Sequence, residues 1–292
     1  MIDLWWRFSD ALADVRERFE RWMVDERHAA RGAAAVRIGT GLAVLGLLLA
    51  NFSTRDVWVG QASVWADPAR SISTFPELAL LRGVSGDVLT VVYVLTMLAA
   101  TAFVVGWHTK AANVITYVGF IAIVAQNPVV GVQGDNLLRL TLLWLLLMRT
   151  ADHWSLDARR HEALERGQDE AKAYEADVLP AWLSNLLHNA GLAALAIQTM
   201  IAYTAAGLDK VSQEVWQNGT ALFFTLQLPE SRPFPGLSDL LSSSEVVLAV
   251  LTYAVLLTQL FFAPLLISRY SRPVVVGSAV LVSVLFAVLF AA

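Results

Sequence analysis

The chain has 292 residues, of which 57% are hydrophobic and only 16% are charged. Soluble domains typically carry about 25% charged residues, so this composition excludes an ordinary water-soluble domain and predicts a protein embedded in a lipid bilayer. The net charge is −4 with no basic cluster interleaved with aromatic residues, which excludes nucleic acid as a partner, and the absence of cysteine excludes disulfides and thiolate metal sites.

The N-terminal segment has the pattern of an amphipathic helix. Between residues 3 and 28, apolar residues recur every three or four positions, with acidic residues and arginines between them. Such a helix lies flat in the membrane interface, although packing on cytoplasmic loops would give the same pattern. The arginines exclude a cleavable signal peptide with a continuous apolar centre. We therefore divide the chain into an interfacial helix, residues 1–32, and a transmembrane domain, residues 33–292.

Seven apolar segments follow, most of them close to the length of about 20 residues that a helix needs to cross a bilayer. We place them at residues 34–52, 87–107, 111–129, 136–149, 181–208, 245–267 and 273–292. The predicted fold class is therefore all-α: a polytopic membrane helix bundle of about seven spans with an N-terminal amphipathic interfacial helix.

Lysine and arginine are distributed unevenly between the segments that connect these spans. Fifteen fall on the side of the N-terminus and five on the other side, while Arg139 lies within a span. The positive-inside rule then places the N-terminus in the cytoplasm and directs residues 53–86, 128–135 and 209–244 outward. We expect a multi-pass protein of a prokaryotic plasma membrane.

The fourth predicted span is short and begins beside polar residues. The twelve residues from Leu137 to Met148 would cover about 18 Å of a hydrocarbon layer about 30 Å thick. The polar run at residues 133–136 is therefore expected below the outer surface, shielded by protein. Asp135 or Asn136 could cap this helix, and Arg139, one turn further on, could pair with Asp135.

The fifth span is the most polar and ends near an uncommon residue. Tyr203, Gly207 and Lys210 are four and three positions apart, so they share one helix face near the outer end. Gly207 would let another backbone approach closely. Lys210 is one of only three lysines. If its amine is desolvated, it can serve as a general base near neutral pH, whereas a lysine that snorkels to the lipid head groups is only an anchor.

Sequence motifs of common enzymes are absent. The chain has no phosphate-binding glycine loop, no H-E-x-x-H and no G-x-S-x-G. The five histidines show no metal-site spacing except that His153 and His161 are two turns apart, so we expect no metal. We interpret His188 as a hydrogen-bonded packing residue, residues 150–178 as a solvated cytoplasmic helix, and residues 211–232 as a short interfacial helix or lid.

Two stretches of the sequence carry recognisable motifs. Asn127–Leu140, followed by Trp154–Arg159, reads NPVVGVQGDNLLRL and WSLDAR, and Tyr203–Val211 reads YTAAGLDKV with Trp216 further on. In this order the motifs resemble those of the HTTM domain family, which is related to the vitamin K-dependent γ-carboxylase. Arg37 also resembles the opening of the family. The resemblance extends over about residues 30 to 290.

The resemblance implies a function for the outer face. In the carboxylase, the lysine of the corresponding motif is taken to deprotonate vitamin K hydroquinone, and Lys210 matches that lysine. We therefore expect a reduced naphthoquinone as cofactor and a quinone-dependent oxidative or carboxylating reaction. The hypothesis assigns Lys210, Asp135 and Arg139 to catalysis, and it assigns Tyr203, Gly207, Asn136 and Trp216 to cofactor binding.

Two departures from the carboxylase limit this hypothesis. The β-rich portion that holds its peptide substrate has no counterpart up to Ala292, and its histidine before the fourth-span region is replaced by Gly134-Asp135-Asn136. Two other functions are therefore open: a maturation or export factor for a secreted peptide, and a passive scaffold that binds lipid or quinone. The expected partners are membrane lipid, a quinone and a secreted peptide.

Overall fold

The computed structural model describes residues 2–71, 76–166, 179–228 and 233–290, and these ranges contain helices and connecting turns but no strand. The chain divides into two compact units, Met1–Leu195 and Ala196–Ala292. The α-helices are α1 (Ile2–Val24), α2 (Ala30–Ala50), α3 (Arg55–Trp58), α4 (Asp67–Ser71), α5 (Gly86–Val105), α6 (Thr109–Val124), α7 (Gln133–Leu147), α8 (Leu156–Arg166), α9 (Ala181–Val211), α10 (Glu214–Gln217), α11 (Ala221–Gln227), α12 (Pro235–Ser242), α13 (Glu245–Leu260), α14 (Phe262–Ile267) and α15 (Arg272–Phe290).

Local sequence signals explain where the long helices begin and end. Ser85 caps α5 by accepting a hydrogen bond from the Val88 amide, and Gly106 ends the helix in a left-handed conformation with φ of 75°. Ser244 caps α13 in the same way, through the Val247 amide. Serine at the N-cap satisfies an amide that the helix itself leaves unpaired, and glycine adopts positive φ without a side-chain clash.

The first unit is built around four helices that pack in a ring. Helix α5 packs against α2 and α6, and α7 closes the ring by packing against both α6 and α2. The core between them is apolar and fully enclosed, and its largest members are Tyr93, Phe103, Phe120, Leu48, Leu142 and Leu145. Burial of such side chains contributes about 1.5–3 kcal/mol each, which stabilises this arrangement of the helices.

The second unit is organised around α13, which packs against α11, α12, α14 and α15. One small core lies where Leu222 and Leu226 of α11 meet Leu248 of α13. Another is formed by Phe262 and side chains of α15. Helix α9 begins in the first unit and ends in the second.

Each of the seven predicted spans overlaps at least one helix. By length and composition alone, however, fewer of these helices qualify as membrane spans. Three helices in the described ranges, α2, α5 and α9, are long and apolar enough, and the bent pair α12 and α13 raises the number to four. Helix α6 and residues 272–286 are apolar but shorter. The structure therefore supports an all-helical membrane protein, in which three to four spans are clear by length and composition within the described ranges.

Three predicted boundaries need correction. Helix α1 ends at Val24 rather than at residue 28, and the predicted span 245–267 is divided at Phe261 into α13 and α14. Helix α7 begins at Gln133, so the polar run 133–136 forms its first turn instead of preceding the helix. Of the segment 150–178, α8 is helical as expected, and residues 167–178 lie outside the described part.

Candidate functional site

Lys210 lies in the last turn of α9 with its side chain half-buried. Its Nζ donates a long hydrogen bond of 3.5 Å to the carbonyl of Ala206. The ammonium also lies 5.2 Å from the centroid of the Trp216 ring, a cation–π contact worth about 0.5–2 kcal/mol depending on desolvation. The neighbouring Asp209 accepts a hydrogen bond from Gln213 at 3.0 Å. The described residues place no carboxylate within 4.0 Å of the amine.

The turn that carries Trp216 is held in place by α13. The Tyr253 hydroxyl of α13 donates a 2.6 Å hydrogen bond to the carbonyl of Gln217. Gly219, with φ of 72°, brings the turn close to the side chains of Ala249 and Tyr253. Both contacts come from α13. Packing within the second unit therefore determines where the Trp216 indole lies relative to the Lys210 amine.

Gly207 and Tyr203 lie one and two turns before Lys210 on α9, where they make contacts with α13 and α14. A Cβ atom on Gly207 would lie 2.7 Å from the backbone nitrogen of Leu260, so the close backbone approach predicted for this glycine is confirmed. The Tyr203 ring stacks on Phe262, with centroids 4.2 Å apart. Both residues therefore position the end of α9, and Trp216 contacts the amine itself.

The other predicted site residues belong to the first unit, at the start of α7. Asp135 is buried, with 8% of its surface exposed, and its Oδ2 accepts a 2.9 Å hydrogen bond from the amide of Val132. The N-cap residue is Val132, so Asp135 caps the helix from within its first turn and not as the N-cap residue. Arg139 donates to the side-chain oxygen of Asn136, so its expected pairing with Asp135 is wrong. The carboxylate of Asp135 binds the amide of Val132, which the helix itself leaves unpaired. Arg139 is therefore paired with Asn136 instead.

Asp135, Asn136 and Arg139 line a common cavity of about 360 Å³ together with Pro128 and Gly131. The structure thus brings these three predicted residues together. It also brings Lys210 together with Trp216. The two groups lie in different compact units. No group of three or more histidine, aspartate or glutamate side chains in the described ranges is arranged to hold a metal ion.

A buried polar cluster in the first unit was not anticipated from the sequence. Arg37 is fully buried, and its two terminal nitrogens donate to the carbonyls of Thr150 and Trp154 at 2.8 and 2.6 Å. Asp157 receives hydrogen bonds from the amide of His108 and from the amide and hydroxyl of Thr109. Burial alone would raise the pKa of Asp157, but the hydrogen bonds from Thr109 and His108 outweigh it and lower the pKa.

The polar residues at the start of α9 hold the end of α1 and the segment after it. His188 is fully buried, and its Nδ1 accepts a 3.1 Å hydrogen bond from the amide of Arg149. Nε2 must therefore carry the proton that it donates to the carbonyl of His28, 2.8 Å away. The Asn189 side chain donates to three carbonyls, those of Trp22, Met23 and Glu26. The interpretation of His188 as a hydrogen-bonded packing residue is confirmed.

Comparison with known proteins gives one family. A model described as the HTTM domain matches residues 28–292, which include both groups of predicted site residues and the Arg37 cluster. No curated protein and no solved structure matches the chain.

Proposed function

The chain belongs to the HTTM domain family, and on that premise we propose that it is a multi-pass membrane protein whose Lys210 amine deprotonates a reduced naphthoquinone at the outer face. The observation that carries this proposal is a half-buried amine held over the ring of Trp216, at the end of a helix apolar enough to cross a membrane. Ionisable groups at such positions are costly and are functional candidates by default.

The surroundings of Lys210 fit a quinol head group. The single hydrogen bond of the amine to Ala206 is long, 3.5 Å, so a ligand hydroxyl can compete with it. A reduced naphthoquinone would supply a weakly acidic hydroxyl on a flat apolar ring. Partial removal from water favours the neutral amine before the proton transfer, and the Trp216 ring stabilises the ammonium after it.

A structural role for Lys210 must be separated from this catalytic one. A cation in the last turn of a helix stabilises the helix dipole by about 0.3–1 kcal/mol, and this contribution requires no ligand. Lys210→Arg preserves the charge but cannot accept a proton, because a guanidinium stays protonated in proteins. Lys210→Met removes both the charge and the base.

The test is an anaerobic titration of reduced naphthoquinone into the protein in lipid nanodiscs, followed by the longer-wavelength absorbance of the deprotonated quinol. We expect the wild-type protein to produce this absorbance near neutral pH. In both Lys210 variants the absorbance should be at least tenfold lower. Lys210→Arg should retain wild-type thermal stability. Lys172→Met, which removes a lysine predicted on the opposite side of the membrane, is the matched control. If Lys210→Met produced as much absorbance as the wild-type protein, the proposal would be overturned. The peptide-maturation or scaffold function would then be favoured.

We also propose that the chain crosses the membrane seven times, with its N-terminus in the cytoplasm. The support is that a helix occupies every predicted span. The outward faces of these helices are apolar, as in Leu95 and Leu98 of α5, which are 54% and 61% exposed. The apolar stripe of α1 is exposed as well, through Val15 and Phe19, which suits a helix lying in the interface.

A further inference from the structure

We infer that the first unit binds the phosphate head group of an anionic phospholipid in a cavity at the C-terminal end of α7. The cavity has a volume of about 470 Å³ and lies between the start of α6, the end of α7 and the start of α9. Its lining shares no residue with the 360 Å³ cavity at the other end of α7 and does not include Lys210, so the inference does not depend on quinone chemistry.

One cation of this cavity is held in a fixed position. The Nζ of Lys110 donates hydrogen bonds of 2.6 Å each to the carbonyls of Leu146 and Met148, at the end of α7. These carbonyls are among those that a helix leaves without partners. An ammonium has three donors, so two of them anchor Lys110 and the third is left for a ligand.

The charges around the cavity are predominantly positive. Arg149 lines it beside Lys110, together with the carboxylate of Asp152. That carboxylate already has two cationic partners, because it accepts a 2.7 Å hydrogen bond from Arg27 and lies 3.4 Å from Arg149. Among the lining residues, the two cations Lys110 and Arg149 outnumber the one carboxylate, and an anion can offset the difference.

The two cations destabilise one another in the absence of an anion. Burial lowers the pKa of Lys110 to about 8, the nearby Arg149 adds to the decrease, and Asp152 opposes it. Lys110 thus stays largely protonated at neutral pH next to a second positive charge. A phosphate oxygen at the cavity would form charge-assisted hydrogen bonds with Lys110 and would relieve this repulsion.

The apolar wall of the cavity favours a lipid over a free phosphate. Leu146 and Leu147 of α7, Leu187 of α9 and Leu179 before it also line the cavity. A lining that combines cations with several leucines matches a phospholipid, whose charged head is attached to acyl chains. The positive-inside rule places this end of α7 at the cytoplasmic leaflet, where anionic lipids attract basic residues.

The test compares phosphatidylglycerol with phosphatidylcholine, by native mass spectrometry and by thermal unfolding in mixed micelles. We expect wild type to retain about one phosphatidylglycerol in preference to phosphatidylcholine and to unfold at a higher temperature with it. Arg149→Gln should lose at least half of this temperature shift. Arg269→Gln removes an exposed arginine predicted on the same membrane side, and it should keep the full shift.

Three results would overturn the inference. The first is wild-type protein that shows no preference for phosphatidylglycerol, a measurement that needs no variant. The second is an equal temperature shift in Arg149→Gln and wild type. The third is an equal shift with inorganic phosphate alone, which would assign the cavity to a free anion instead of a lipid.

Discussion

The guanidinium of Arg37 joins two carbonyl groups that follow it by 113 and 117 residues, those of Thr150 and Trp154. Both carbonyls lie in the connection that precedes α8, so one side chain of α2 holds that connection against the bundle. The planar fork of an arginine reaches two acceptors at once, whereas the ammonium of a lysine is a compact point charge.

Arg37→Lys is therefore expected to lower the free energy of unfolding by about 2 kcal/mol, since hydrogen bonds to charged groups contribute about 1.5–3 kcal/mol. The measurement is unfolding in detergent, monitored by circular dichroism. Arg31→Lys is the matched control, because Arg31 is an exposed residue of the same helix. Equal stability of the Arg31 and Arg37 variants would contradict the role assigned to the buried fork.

Helices α9 and α13 approach each other at Gly207 so closely that a side chain has no room. An added Cβ atom would lie 2.7 Å from the nitrogen and 2.8 Å from the Cα of Leu260. Both atoms belong to the backbone, so no rotation of a side chain can relieve the contact. This crossing lies one turn before Lys210, so it also sets the position of the amine.

Gly207→Ala should consequently lower the free energy of unfolding by about 1–3 kcal/mol through overpacking, and it should weaken naphthoquinol deprotonation. Thermal unfolding and the absorbance titration measure the two effects. Gly46→Ala in α2 is the control, because nothing lies within 4 Å of a Cβ atom there. A Gly207→Ala protein as stable and active as Gly46→Ala would contradict the close crossing.

The number of membrane crossings is a property of the whole chain, and the hairpin of α6 and α7 decides it. These helices have 16 and 15 residues, fewer than the about 20 that span the hydrocarbon layer. Seven crossings require the hairpin to reach the outer surface. If it turns back inside the membrane, residues 128–132 stay inaccessible from outside.

Because the chain has no cysteine, single introduced cysteines can report the topology without a background. We expect an impermeant maleimide to label Glu77→Cys and Val130→Cys on intact cells, and to label Arg160→Cys only after permeabilisation. Labelling of position 77 but not 130 would indicate a re-entrant hairpin and five crossings. Labelling of position 160 on intact cells would reverse the proposed orientation.

Local patterns in the sequence were enough to locate the long helices. Every predicted span overlaps one of them, because a run of apolar residues can be recognised from near neighbours in the sequence. The boundaries were less accurate where a contact from outside intervened. Helix α1 ends at Val24, and Asn189 on α9 binds the carbonyls at that end.

The candidate site was also predicted only in part, because some of its contacts come from outside the local sequence. Spacing along α9 placed Gly207 and Lys210 on one face, and composition singled out Lys210 as one of three lysines. The predicted pairing of Arg139 with Asp135 was wrong, because the side chain of Asp135 accepts a hydrogen bond from the Val132 amide. The cavity beside Lys110 was missed, because Lys110 lies at the start of α6 whereas Arg149 follows the end of α7, and neither stands in a motif.

The sequence by itself determined that this is an all-helical membrane protein of the HTTM family, since apolar content, helix signals and family motifs can all be read without distances. Only the tertiary structure decided which polar groups meet: Arg37 with Thr150, His188 with His28, and Lys110 with the end of α7. The physical reason is that burial of a polar group requires a partner, and here that partner lies on a distant part of the chain.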